Sequence, residues 1–140
     1  MANPIYPCLW FDGRAQEAAA FYCSVFKNSK ILSDTPMVVT FELDGKKFMG
    51  LNGGPHFQFT EAVSFVVDCD TQEEIDYYWH KLTEGGSESQ CGWLKDKFGL
   101  SWQIVPSILP TLMSDPERSG RVMQAFLKMK KFDIETLLNA

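Results

Sequence analysis

The chain has 140 residues, of which 45% are hydrophobic and 22% charged, and its formal net charge is −5. This size suits a single globular domain that can bury its core without disulfide bonds. The acidic balance argues against nucleic acid as a partner, because phosphate binding needs a basic surface. Residues 1–4 carry no basic, apolar leader pattern, and no run approaches the roughly 20 apolar residues of a membrane span. We therefore expect a cytoplasmic protein with no membrane partner.

Two segments of the chain follow the same pattern. Residues 9–26 (LWFDGRAQEAAAFYCSVF) align without a gap onto residues 65–82 (FVVDCDTQEEIDYYWHKL). Each segment begins as an apolar strand, continues through an Asp-containing turn and ends as an amphipathic helix. Apolar residues recur at helical spacing in both copies: Ala15, Ala18, Ala19, Tyr22 and Phe26 in the first, and Ile75, Tyr78, Trp79 and Leu82 in the second. A repeated module is the simplest interpretation.

Turn and cap residues mark where these elements begin and end. Residues 37–43 alternate as a strand, Asp44 and Gly45 predict a tight hairpin, and residues 47–52 predict the return strand. In the second copy, residues 92–94 and 100–105 predict strands. Thr71 with Glu74 has the spacing of a capping box, while Asn28 and the pair Gly85–Gly86 are typical helix ends.

The last part of the chain has a different pattern, with apolar residues at helical spacing. Asp115 followed by Pro116 predicts the start of one helix, and Asp133 is expected to cap a final short one. The fold class is therefore α+β. It comprises two βαβββ modules in series, at about 1–54 and 60–106, with antiparallel neighbours in each module and a helical tail over 107–140. We expect the three parts to form one domain.

Several runs carry a resemblance to a known family over nearly the whole chain. They are PCLWFDG (7–13), FMGLNGGPHF (48–57), FVVDC (65–69), GWLKDKFGLSWQIVP (92–106) and VMQAFLKMKKFDI (122–134). They resemble the PhnB-like branch of the glyoxalase, bleomycin-resistance and dioxygenase (vicinal oxygen chelate) superfamily, often labelled 3-demethylubiquinone-9 3-methyltransferase. The resemblance implies a cup of curved mixed sheets with outer helices, and a homodimer. Methyl transfer is disfavoured, because no glycine-rich GxGxG turn follows a strand.

The resemblance also implies a divalent metal, held on the first and fourth strands of each module. The matching positions are Tyr6 or Pro7, the stretch 50–52, Ala62 or Val63, and Gln103. Only Gln103 and Asn52 among them carry a side chain able to touch a metal, and both are weak neutral ligands. The four cysteines form no CxxC pair either. We expect no bound metal and no cofactor.

Strand alternation predicts which side chains line the cup. The helix-facing side should carry the more apolar set: Leu9, Phe11, Met49, Leu51, Phe65, Val67, Leu100, Trp102 and Ile104. The opposite face should then carry aromatic and polar groups, as small-molecule pockets do: Tyr6, Cys8, Trp10, Thr40, Glu42, Phe48, Asn52, Ser64, Ser101 and Gln103. The ligand-binding candidates are Cys8, Trp10, Asn52, Ser64 and Gln103.

Two functions and one purely structural interpretation remain open from the sequence. The first function is a protein that binds a small organic molecule. The second is an enzyme of lyase or transferase type, for which Glu42 and His56 are the weak catalytic candidates. Alternatively, the inward residues simply fill a closed interior. We favour binding, because no nucleophile, base and orienting group are visible together.

Overall fold

A computed structural model describes residues 4–140. These residues divide into two compact units, one ending at Phe59 and the other beginning at Thr60. Residues 1–3, part of the segment expected to lack a leader, lie outside the described residues. Among residues 4–140, no helix is long and apolar enough to cross a membrane. That the units form one domain stays a prediction.

The first unit has the order strand, helix, three strands. Its elements are β1 (Cys8–Phe11), α1 (Ala15–Val25), β2 (Lys30–Asp34), β3 (Val38–Leu43) and β4 (Lys46–Asn52). The second unit repeats this order and adds three short helices: β5 (Ser64–Cys69), α2 (Gln72–Thr83), β6 (Ser87–Glu88), β7 (Trp93–Lys95), β8 (Ser101–Pro106), α3 (Leu109–Met113), α4 (Ser119–Phe126) and α5 (Ile134–Leu138).

The two sheets have the same topology. Their strand orders are β1-β4-β3-β2 and β5-β8-β7-β6. The pairs β1–β4 and β5–β8 are parallel and the others antiparallel, so each sheet is mixed. The α+β fold of two βαβββ modules with a helical tail is confirmed. The expectation of antiparallel neighbours is wrong only for the first strand of each module. That strand runs parallel to the fourth strand of the same module, and a helix and two strands separate the two in the chain.

Local signals in the sequence account for several turns and caps. Leu43 pairs with Lys46 across a two-residue hairpin, in which Asp44 and Gly45 both adopt positive φ. The Thr71 side chain accepts a hydrogen bond from the Glu74 backbone N–H at 3.2 Å, as predicted. Asp133 caps α5 in the same way, with Thr136 N at 3.1 Å.

The helix expected to begin at Pro116 begins instead at Ser119. The carboxylate of Asp115 accepts a hydrogen bond from the Glu117 backbone N–H at 3.0 Å. Its carbonyl accepts hydrogen bonds from the backbone N–H groups of Arg118 and Ser119. These bonds close a separate turn ahead of α4. The prediction of an N-terminal proline in this helix is therefore wrong.

Small and aromatic side chains form the core of the first module. Ala15, Ala18 and Ala19 on α1 are fully buried, so the helix backbone lies close to the sheet. Tyr22 stacks on Phe41 of β3, with ring centroids 6.3 Å apart. The helix thus covers one face of the sheet, and the other face is the one that can present a site.

In the second module α2 packs on the sheet through three buried residues, Ile75, Trp79 and Leu82. Its first residue, Gln72, holds the helical tail. The Gln72 side-chain amide donates to the Phe132 carbonyl at 2.9 Å and accepts from the Ile134 backbone N–H at 2.8 Å. The tail is therefore attached to the start of α2.

Candidate functional site

The second module gathers polar side chains on the sheet face that points away from α2. Strand register places Ser64, Ser101 and Lys95 in one row across β5, β8 and β7. The next row contains Val66, Gln103 and Trp93. Residues opposite one another on paired strands share a face. Ser64 and Gln103 thus lie on the face expected from the sequence, whereas their role in ligand binding stays a prediction.

Ser64 and Gln103 are hydrogen-bonded to each other, whereas the Ser101 hydroxyl has no partner among the described residues. The Gln103 side-chain amide donates to the Ser64 hydroxyl at 3.0 Å. The Ser101 hydroxyl is buried, and within residues 4–140 it is the one buried side-chain oxygen or nitrogen without a hydrogen-bond partner. Buried polar groups without partners are uncommon and destabilising, so each needs a reason. The Ser101 hydroxyl therefore keeps a hydrogen-bonding capacity that the described residues leave unused.

An ion pair lies at the same end of this sheet. The Lys95 ammonium is 2.9 Å from the Glu61 carboxylate, and the two side chains are 41% and 64% exposed. The hydrogen bond from Lys95 is the main cause that holds the pKa of Glu61 below its usual value. Lys95 therefore supplies positive charge in the row that contains Ser101.

A buried carboxylate fixes the turn between β7 and β8. Asp96 Oδ1 accepts hydrogen bonds from the backbone N–H groups of Phe98 at 2.9 Å and Leu100 at 3.1 Å. Its Oδ2 accepts from the Trp102 indole N–H at 2.9 Å. No sequence pattern predicted a role for the side chain of Asp96, which lies between the two strands predicted at 92–94 and 100–105. The arrangement sets where β8 begins, and therefore positions Ser101 and Gln103.

In the first module, Trp10 and Cys8 lie on the sheet face away from α1, as expected. The Trp10 indole N–H donates to the Gly54 carbonyl at 2.8 Å, and its ring meets Phe57 edge-on at 4.8 Å. Cys8 is largely exposed, yet desolvation still raises the pKa of its thiol. A raised pKa disfavours the thiolate, so Cys8 is a poor nucleophile.

Asn52 and Phe48 are the exceptions, because the expected phase of β4 is wrong. Asn52 pairs with Phe11 and Phe48 with Phe41, which places both on the helix side. Met49 and Leu51 consequently lie on the opposite face. The Asn52 side chain accepts from the Ala15 backbone N–H at 2.9 Å and donates to Gln16 and Pro36. Asn52 anchors the start of α1, and its polar atoms are occupied.

The two catalytic candidates are not brought together. Glu42 stands between Lys30 of β2 and Lys47 of β4 in the sheet register. His56 is exposed in the loop after Gly54. Among the described residues, no hydrogen bond or ion pair joins the two side chains. In the same part of the chain, no three His, Cys, Asp or Glu side chains are placed so that they could hold a metal ion.

These mixed modules, each with one helix-covered sheet face, define a protein of the vicinal oxygen chelate fold, in its PhnB-like branch. The sequence matches the model of the 3-demethylubiquinone-9 3-methyltransferase family over residues 3–105, and the chain belongs to that family. It is similar to a PhnB protein of Bacillus cereus, named as a candidate 3-demethylubiquinone-9 3-methyltransferase. The identity is 36% and the TM-score 0.69, over 75% of this chain and 100% of the other.

More distant solved structures share the fold alone. A protein from Pseudomonas aeruginosa is 20% identical with a TM-score of 0.64, over 75% of this chain and 98% of its own. The fosfomycin resistance protein FosX from Listeria monocytogenes, complexed with Mn(II) and sulfate, is 13% identical with a TM-score of 0.58. That match covers 86% of this chain and 97% of FosX. The comparison with curated proteins gives no match. The fold supports a small-molecule binding or an enzymatic role.

Proposed function

We propose that this protein binds a small organic molecule on the face of β5, β8 and β7 that points away from α2, and that it does so without a divalent metal. The observation that carries the proposal is the buried, unpartnered Ser101 hydroxyl beside the Gln103–Ser64 hydrogen bond. Trp93, next to Gln103 in the register, supplies an aromatic surface. Aromatic area with a few polar groups is typical of small-molecule sites.

Binding is favoured over catalysis because the groups that catalysis needs are dispersed. Within residues 4–140, no hydrogen bond or ion pair joins Glu42 to His56, and desolvation raises the pKa of the Cys8 thiol. The family label names a methyl transfer, but the glycine-rich turn that commonly holds an adenosyl cofactor is missing from the sequence. On the sheet face of the first module that points away from α1, Cys8 and Trp10 remain separate candidates for ligand contact. Asn52 is withdrawn as a candidate, because its polar atoms already have partners.

Replacing Gln103 with Ala tests this function. We expect binding of an aromatic probe, 2-naphthoate, to weaken by about 1–3 kcal/mol, because a hydrogen-bonding group on the ligand face is lost. The melting temperature should change little, since Gln103 lies on the sheet face away from the buried core. Isothermal titration calorimetry and thermal denaturation give the two readouts.

The matched control is Gln124→Ala, which removes the same group from an exposed position on α4. It should leave both affinity and melting temperature unchanged. The proposal fails if the unmodified protein does not bind the probe. It also fails if Gln103→Ala lowers the melting temperature sharply and leaves the affinity intact, because the side chain would then be structural.

We also propose that the protein is a cytoplasmic homodimer. Every residue of β2 is exposed, including Ile31 and Leu32, and Met37 beyond it is exposed as well. Exposed apolar groups along a sheet edge favour association. Light scattering at micromolar concentration should return twice the chain mass of 15.9 kDa. A monomer mass throughout the concentration range would refute the dimer.

A further inference from the structure

We propose that the molecule bound on this face carries a carboxylate or a similar anionic group, held by Lys95 and Ser101, and that Glu61 competes with it for Lys95. This inference rests on the proposed function and names the chemical class of its ligand. It is carried by two independent observations in the second module. One is the ion pair between Lys95 and Glu61. The other is the buried hydroxyl of Ser101, which has no hydrogen-bond partner among the described residues.

The two residues of the ion pair belong to segments on either side of β8, the strand that carries Ser101. Lys95 is the last residue of β7, and Glu61 lies just before β5. Since β8 lies between β7 and β5, the ion pair joins segments on either side of the start of β8, where Ser101 stands between Lys95 and Ser64. A carboxylate that replaces Glu61 on Lys95 therefore lies in the row of Ser101, and it reaches the buried hydroxyl when the side chains that cover it move aside.

Glu61 satisfies only one of the two available donors. It pairs with Lys95 at 2.9 Å, while the Ser101 hydroxyl has no hydrogen-bond partner among residues 4–140. A ligand carboxylate has two oxygens with several acceptor positions, so it can take a hydrogen bond from both groups. Hydrogen bonds in which one partner is ionised are stronger than neutral ones. The site therefore offers an anionic ligand a contact that Glu61 does not make.

Glu61 is also easy to displace. Its side chain is 64% exposed, and ion pairs in water contribute little to stability because solvent screens them. Like any exposed glutamate, Glu61 is ionised at neutral pH, and the hydrogen bond from Lys95 is the main cause that lowers its pKa further. At neutral pH, Glu61 thus acts as a weak internal competitor for an external anion.

The test compares 2-naphthoate with 2-naphthamide, which have the same ring system and similar size but differ in charge. We expect the unmodified protein to bind the carboxylate about tenfold more tightly than the amide, because a charged acceptor strengthens both hydrogen bonds. Lys95→Met should remove that preference, whereas Lys128→Met, a surface lysine on the tail, should keep it. Titration calorimetry measures both probes on each variant.

Two further variants separate competition from simple charge attraction. Glu61→Gln should tighten binding of 2-naphthoate several-fold and leave 2-naphthamide unchanged, because the competitor loses its charge. Ser101→Ala should weaken 2-naphthoate binding while the melting temperature stays constant or rises, because an unpartnered buried hydroxyl is removed. A fall in melting temperature together with unchanged affinity would assign Ser101 to the core and overturn the inference.

The outcomes distinguish this inference from the proposed function. If both probes bind equally well, or if Lys95→Met and Lys128→Met have the same effect, the anionic ligand is wrong and the binding face stands. If neither probe binds the unmodified protein, both proposals fail together. If Glu61→Gln weakens binding of 2-naphthoate, Glu61 is not a competitor, and its part of the inference is overturned.

Discussion

Replacing Asp96 with Ala is expected to lower the free energy of unfolding by about 3 kcal/mol or more, the largest loss we expect from one substitution. The buried carboxylate accepts hydrogen bonds from Phe98 N, Leu100 N and the Trp102 indole. Alanine leaves these donors in a buried region without an acceptor. Urea denaturation followed by circular dichroism measures the change.

A matched substitution, Asp12→Ala, removes an exposed acid from a turn and should change stability by less than about 0.5 kcal/mol. Asp96→Asn should give an intermediate loss. The amide oxygen can still accept the backbone bonds, but its NH₂ group then meets the Trp102 indole N–H. If Asp96→Ala costs no more than Asp12→Ala, the turn does not depend on this carboxylate, and our account of how β8 is positioned is wrong.

The second large effect is expected at Gly53, where an added methyl group would overlap the indole ring of Trp10. Overfilling a packed site of this kind typically costs about 1–3 kcal/mol. In Gly53→Ala the ring must move, which breaks the hydrogen bond from Trp10 to the Gly54 carbonyl and its edge contact with Phe57. We expect a lower melting temperature and a changed near-ultraviolet circular dichroism signal.

Gly120 provides the control for this substitution. It lies in α4 and has no atom within 4 Å of an added Cβ, so Gly120→Ala should be neutral or slightly stabilising in a helix. A Gly53→Ala variant with the melting temperature and aromatic signal of the unmodified protein would mean that Trp10 is not seated on this loop. The ring orientation that makes Trp10 a candidate ligand contact would then be wrong as well.

Patterns that depend on neighbouring residues predicted much of the fold. The hairpin at Asp44–Gly45 and the Thr71 cap follow from turn and cap chemistry within a few residues. Alternation placed β3 correctly, because its buried residues Val39, Phe41 and Leu43 alternate with partly exposed ones. The strand β2 had no such signal. All five of its residues are exposed, so no alternation marked it.

The phase of β4 shows where alternation fails. Its sequence is apolar at consecutive positions, Phe48 and Met49, and its most buried position is Gly50, which has no side chain to reveal a face. Gly50 lies under Ala15, where an added Cβ would be 3.2 Å from the alanine methyl group. Only pairing with β1 and β3 sets the phase. Asn52 was assigned to the wrong face for this reason.

The candidate site was predictable in part. Alternation placed Ser64 and Gln103 on the correct sheet face, since the strands β5 and β8 have clear apolar partners on the other side. The proximity of Lys95 to Glu61 was not predictable, because it depends on the order of strands in the sheet. The burial of Asp96 likewise depends on its hydrogen bond with the Trp102 indole, which no local sequence pattern predicts.

The central claim is that the face of β5, β8 and β7 binds a small molecule without a metal. The most direct measurement is a nitrogen–proton NMR titration of EDTA-treated protein with 2-naphthoate. Our account predicts shifts of the Gln103 side-chain amide and the Trp93 indole resonances. The same titration of protein without EDTA treatment should give the same dissociation constant. The claim is contradicted if these resonances do not move, or if they move only after Mn²⁺ or Zn²⁺ is added.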